Sequence, residues 1–222
     1  MKTRSKITLQ KNLITVLPCL VTLFWGFFFL YITNGFANLT LESDRKANLF
    51  ATHPELSIRL VGESGRVSTL AELAKQQNKV LVTEFIYTKC RTLCLVLGDY
   101  FQQAQTQIKL QGLAQKIHLL SISFDVNQDT PARLKIYRQR MHADENIWSL
   151  ATMQSAGDLA AAKEKLGLIV LAAPFKEFVH NSAFLVISNQ GKLLGIYDDD
   201  DIEGALTLAA KSSEYAAGHK LQ

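Results

Sequence analysis

The chain has 222 residues, 48% of them apolar, which suits one ordinary domain plus a short appendage and is too short for two comfortable domains. Its formal net charge of +4 is unevenly placed: Lys2, Arg4, Lys6 and Lys11 precede the first apolar run, no acid does, and the remaining 20 basic residues match the 20 acidic ones. A balanced body offers no cationic surface for nucleic acid, and three cysteines are too few for a disulfide-dense scaffold.

Residues 1–12 form the basic segment, expected to stay in the cytoplasm. Residues 13–32, LITVLPCLVTLFWGFFFLYI, carry no charge over about the length that crosses a hydrocarbon core, and read as a transmembrane anchor. Trp25, Phe27, Phe28, Phe29 and Tyr31 crowd its far half as an interfacial belt would. A cleavable signal peptide is the competing assignment, with Gly35 and Ala37 as small residues for a cleavage site. Its apolar core would run about 7–15 residues, shorter than this one. The expected location is a bacterial inner membrane, single-pass, with the C-terminal domain in the periplasm. Cys19 lies inside the span and reads as a small hydrophobe.

Residues 33–54 lack periodicity and read as a linker; residues 55–222 are the folded domain. A short strand is expected around Ser57–Leu60, then a helix start at Ser68 or Thr69 with Glu72. Lys79–Tyr87 is a near-continuous apolar, β-branched run, the pattern of a strand buried on both faces. A helix over Leu93–Gln111 follows the cysteine loop, and Ile117–Phe124 is a second central strand. Asp129 or Thr130 caps a helix opened by Pro131. Trp148–Thr152 forms a short strand, and Ser155–Leu166 a helix stopped by Gly167. Ala183–Ile187 and Lys192–Tyr197 flank an Asn189-Gln190-Gly191 turn as a hairpin, and a last helix runs from Ile202 to Ala217. Asp198–Asp201 lack the alternating spacing of a calcium loop and read as a turn capping that helix. The fold class is α/β: a mixed central sheet flanked by helices, in the order of the thioredoxin fold, preceded by one N-terminal transmembrane helix.

Cys90 and Cys94 stand just after the first central strand, at the start of the next helix, in Tyr87-Thr88-Lys89-Cys90-Arg91-Thr92-Leu93-Cys94. A helix N-terminus and the charges of Lys89 and Arg91 all favour a thiolate. Thioredoxin-type redox pairs have two intervening residues; this pair has three. With both residues helical, the two sulfurs share a face and can grip one ion. With Cys90 in the loop, the pair can close to a disulfide instead. Among five histidines, His53, His142 and His219 read as solvent-exposed and His118 as a structural residue of the second strand. His180 precedes the Ala183–Ile187 strand, where a thioredoxin fold places a loop facing the cysteines; it is a third ligand or an ordinary loop histidine. Two thiolates and an imidazole suit three-coordinate Cu(I), and with an added oxygen Cu(II). Structural zinc wants a fourth strong ligand.

The region from about residue 55 to 215 resembles the Sco/SenC family, membrane-tethered copper chaperones of cytochrome c oxidase assembly. The resemblance rests on the Phe85–Cys94 stretch, on Asp125 to Asp129-Thr130-Pro131, and on His180–Ile187 followed by Asn189–Lys192, in that order. It implies copper, as Cu(I) or Cu(II), held by Cys90, Cys94 and His180, with Cys90 and Cys94 doubling as a redox-active dithiol. It places Asp125 as an outer-shell group, while Asp129 reads first as a helix cap. It implies, as partners, the copper-bearing subunit of cytochrome c oxidase or another periplasmic copper protein, and a thiol reductant. The sequence departs from the family where prolines often follow each cysteine, here Arg91 and Leu95, and where an acid commonly precedes the histidine, here Val179. The chain is thus expected to be primarily a metallochaperone with possible thiol–disulfide reductase activity. The alternative is a metal-free periplasmic thiol–disulfide oxidoreductase using the same sulfurs without His180. Thiol peroxidase chemistry is disfavoured, because Thr83 and Tyr87 stand where it wants proline and threonine.

Overall fold

The computed structural model describes residues 2–32, 48–49, 56–90, 93–174 and 177–218, with residues 2–16, 93–97 and 215–218 described through the backbone alone. It divides into two compact units, residues 1–48 and 49–222. The first contains α1 (Lys2–Ile32), with Pro18 inside it. From Leu17 to Ile32 its large apolar side chains are exposed, Phe27 at 71% and Tyr31 at 84%. Side chains before Leu17 lie outside the described residues, and among those described no helix is long and apolar enough to cross a membrane. The linker expected over 33–54 lies outside the described residues, apart from residues 48–49.

The second unit is built on a seven-stranded sheet. In chain order its elements are β1 (Arg59–Gly62), β2 (Val67–Thr69), α2 (Leu70–Gln77), β3 (Val80–Ile86), α3 (Leu93–Leu110), β4 (Ile117–Ser123), α4 (Pro131–Arg140), β5 (Trp148–Met153) and α5 (Ala156–Leu166). There follow β6 (Val170–Ala172), β7 (Phe178–His180), β8 (Ala183–Ile187), β9 (Leu193–Asp198) and α6 (Ile202–Gly218). The sheet order is β2-β1-β5-β4-β3-β8-β9, while β6 and β7 make a separate two-stranded hairpin. β3, β4 and β5 run parallel at the centre, and β1, β2, β8 and β9 are antiparallel to their neighbours. This is the mixed, thioredoxin-like arrangement expected from the element order.

Local chemistry explains most boundaries. Every residue of β3 and β4 is buried, as their apolar runs require. Thr69 and Glu72 form a capping box at α2. Ser155 caps α5, which Gly167 ends in the left-handed conformation at φ 65°. Gly191 turns β8 into β9 at φ 81°, where a Cβ would lie 2.8 Å from that of Ala71. Asp201 Oδ1 accepts from Gly204 N at 2.9 Å, so the aspartate run ends in a helix cap as expected. α3 and α6 pack on each other and on the sheet, with Phe101 between Trp148 and Phe184. β2 and the β6–β7 hairpin are the additions to the expected list.

Candidate metal centre

β3 ends at Ile86, and the chain turns back so that Cys90 N donates to Tyr87 O at 3.1 Å. Cys90 is buried and lies before α3, outside any helix. The arrangement with both sulfurs on one helical face is therefore excluded, leaving Cys90 in the loop. Cys94 is the second residue of α3; its side chain, like all of Arg91, lies outside the described residues.

The loop is held from below by a carboxylate. Asp129 Oδ2 accepts from Thr88 N at 2.7 Å and from Ser123 Oγ, and its Oδ1 accepts from the Thr88 hydroxyl. Arg140 donates to Thr88 O at 3.0 Å. All the hydrogen-bonding groups of Thr88 are thus engaged, two residues before the sulfur. This corrects the expectation that Asp129 caps α4: the cap is Thr130, whose hydroxyl accepts from Arg133 N. Both residues suit a cap, and Asp129 is drawn instead to three donors that the local sequence does not reveal.

Asp125 is buried in the loop after β4, its backbone N–H donating to Ser123 Oγ at 3.2 Å. Burial, then the neighbouring charge of Asp129, push its carboxyl above the usual range, and Lys89 opposes them. Lys89 itself is exposed, with Nζ 3.3 Å from Gln128 Oε1.

His180 comes from the opposite side, at the end of β7 rather than in a bare loop. It is 7% exposed. Its ring meets Phe124 at 5.0 Å and Tyr87 at 6.1 Å between centroids, both edge-on. Nδ1 lies 3.0 Å from Asn181 O. A carbonyl only accepts, so Nδ1 carries the proton and the lone pair falls on Nε2. Burial holds the imidazole below its ordinary range, against the pull of the Asn181 carbonyl and of Cys90. The ring is therefore neutral at neutral pH, the form that binds metals.

Tyr87 joins the two sides. It is 3% exposed, packs edge-on to Phe178 at 5.3 Å, and its hydroxyl donates to Glu177 Oε2 at 2.6 Å. Burial, the bond to Glu177 and a hydrogen bond with Cys90 together hold its phenol far above the usual range. Two groups here went unremarked in the sequence, Glu177 and the clamping role of Asp129. The apolar stretches around Ala172-Ala173-Pro174 were the available signal for the hairpin that carries Glu177.

Cys90 and His180 both lie against Tyr87, the first through its backbone turn and the second through its ring. Among the described residues no three His, Cys, Asp or Glu side chains gather to hold a metal ion, with the Cys94 side chain lying outside them. His118 is buried, as expected of a structural residue, with Nε2 2.7 Å from Ser149 Oγ. His142 sits just past α4 in the left-handed region, at φ 48°. His53 and His219 lie outside the described residues.

A thioredoxin-like domain with a clamped cysteine loop on one side and a buried neutral histidine on the other defines a class of thiol–imidazole proteins. Residues 47–217 match the family model described as SCO1/SenC, which is most of the chain, and the chain belongs to that family. It is 25% identical over 148 residues to the SCO1 protein homolog of Bacillus subtilis, covering 61% of this chain and 76% of that one. Among solved structures it is similar to BsSco, described as having a disulfide switch and as a member of the Sco family of cytochrome c oxidase assembly proteins. That match has 21% identity and a TM-score of 0.62, over 73% of this chain and 95% of the other. It is also similar to Arabidopsis thaliana ScoI with copper bound, at 16% identity and a TM-score of 0.58, over 69% and 96% of the two chains. At these identities the solved structures establish the fold.

Proposed function

We propose that this chain is a membrane-anchored copper chaperone that carries the ion as cargo to a copper site of cytochrome c oxidase, with Cys90, Cys94 and His180 as ligands. The observation that carries the reading is that buried Cys90 and buried His180 both lie against Tyr87, Cys90 N donating to its carbonyl and the His180 ring edge-on to its ring at 6.1 Å. Thiolate and imidazole are the donor types that favour copper. Three ligands leave room for an incoming thiolate or imidazole, so the ion can pass to a docked acceptor by ligand exchange. Asp125 stands beside the loop as an outer-shell group. The family assignment and the copper-bound Arabidopsis relative support copper; the description of BsSco supports the oxidase as destination. The exposed apolar side chains of α1 support the anchor, because such a surface is unfavourable in water and suited to lipid. With basic residues at its start, α1 would leave the second unit in the periplasm.

A second reading keeps the sulfurs and omits the metal. As a thiol–disulfide reductase, Cys90 and Cys94 would form a disulfide while two electrons and two protons reduce a partner's disulfide. The disulfide switch ascribed to BsSco favours it. Anaerobic copper titration of the full chain in detergent micelles separates the two. One copper per wild-type chain is expected, and none in Cys90→Ala or Cys94→Ala. Stoichiometric copper in either variant would remove the metal-site assignment. No copper in the wild type, beside a readily cycling disulfide, would leave the reductase.

A further inference from the structure

The β6–β7 hairpin is short and stands apart from the main sheet, three residues to a strand. A two-stranded hairpin is marginal on its own, so its placement depends on what it leans against. Pairing puts Leu171 and Val179 on one face, and with Ile169 they are exposed at 60%, 61% and 44%. That face contributes little burial. The other face presents Phe178 and His180 to Tyr87 and Phe124. Ring contacts of this kind fix position only broadly, since paired aromatic centroids sit anywhere from about 4.5 to 7 Å apart. A hydrogen bond to a carboxylate is shorter, stronger and directional.

Glu177 supplies that directional contact. It closes the hairpin turn, its N–H donating to Pro174 O at 3.2 Å and its carbonyl accepting from Ala173 N at 2.9 Å. Its carboxylate takes the Tyr87 hydroxyl at 2.6 Å, three residues before His180. Tyr87 in turn adjoins Thr88, which is hydrogen-bonded to Asp129, so the bond runs from the hairpin to the clamped part of the cysteine loop.

We propose that Glu177 and Tyr87 are positioning residues whose hydrogen bond docks the β6–β7 hairpin and sets the His180 ring against Phe124, facing the Cys90 loop. The inference rests on reading His180 as a ligand only for its effect on copper; the docking itself is a property of the metal-free chain.

The test uses the full chain in detergent micelles, labelled at histidine and phenylalanine, as wild type, E177A, E177Q and Y87F. Without metal, ring-to-ring nuclear Overhauser effects between His180 and Phe124 are expected in wild type and in E177Q, whose amide oxygen accepts the same bond. They should be lost or strongly reduced in E177A and Y87F. Titrated with Cu(II), E177A should bind about 10–100-fold more weakly, as outer-shell losses do, with an altered visible spectrum. In an H180A background E177A should cause no further loss. Intact ring contacts in E177A, or an equal loss of affinity in the H180A background, would overturn the proposal. If wild type binds no copper, the ligand reading fails while the metal-free ring contacts still decide the docking.

Discussion

Two serines of β4, Ser121 and Ser123, point to the same face of the sheet, and each donates to a buried carboxylate. Ser123 serves Asp129 at the end of the strand, together with the N–H and hydroxyl of Thr88. Ser121 serves Glu84, its register partner on β3, and its Oγ is occupied on the other side by Trp148 Nε1 at 2.8 Å. Glu84 Oε2 has no partner among the described residues. The two carboxylates are comparably hidden, at 3% and 0% exposure, yet are supplied very differently. With one donor, burial pushes the Glu84 carboxyl up to about 8, the Ser121 bond only partly opposing it. The number of donors, rather than depth, separates a carboxylate that fastens the cysteine loop from one with a single bond.

The contrast breaks most sharply at Asp129. Asp129→Ala leaves the Thr88 N–H and two hydroxyls without their acceptor in a buried place, a cost of about 3 kcal/mol or more. Urea unfolding of the variant should show that loss, and a change under about 1 kcal/mol would refute the clamp.

Glu84 sharpens the contrast through pH. It holds its proton to about 8 when folded, against an ordinary value of 4.5, so between those values the native state binds the extra proton and stability falls as pH rises. His118 acts oppositely: burial first, then Lys79 and Arg138, lower it from 6.5 to about 4, so stability falls as pH drops through that window. From about pH 4.5 to 6.5 the two slopes cancel, and from about 6.5 to 8 only the Glu84 slope remains, about 1.4 kcal/mol per pH unit. Denaturation between about pH 6.5 and 8 should show the decline, and Glu84→Gln should remove it. A smaller effect is expected from Ser121→Ala, which strips one bond each from Glu84 and Trp148 for about 1–2 kcal/mol. It should also extend the decline to higher pH, because the Ser121 bond lowers the folded-state value of Glu84.

The central strands, most helices and their caps were legible because each rests on a local rule. Near-continuous apolar runs gave β3 and β4, and capping residues gave the starts of α2 and α5. In the site, the element order put Cys90 after a central strand and His180 before the Ala183–Ile187 strand, but it left His180 as ligand or ordinary loop histidine, and only the family resemblance chose between them. What escaped depends on contacts between distant segments. Asp129 and Thr130 are equally good caps by sequence, and only the folded position of Thr88 decides between them. Glu84 hid within a run read as apolar, although an acid inside a strand buried on both faces was itself a signal. β6 and β7 are too short for a two-residue alternation to stand out, so the hairpin and Glu177 appeared only with the fold.

X-ray absorption at the copper edge of the full chain loaded with one Cu(I), as wild type and His180→Ala, tests the central claim most directly. Two sulfur neighbours and one nitrogen are expected in the wild type, with the nitrogen lost or replaced in the variant and the sulfurs kept. A first shell of sulfur alone, or one unchanged by the His180 substitution, would contradict it.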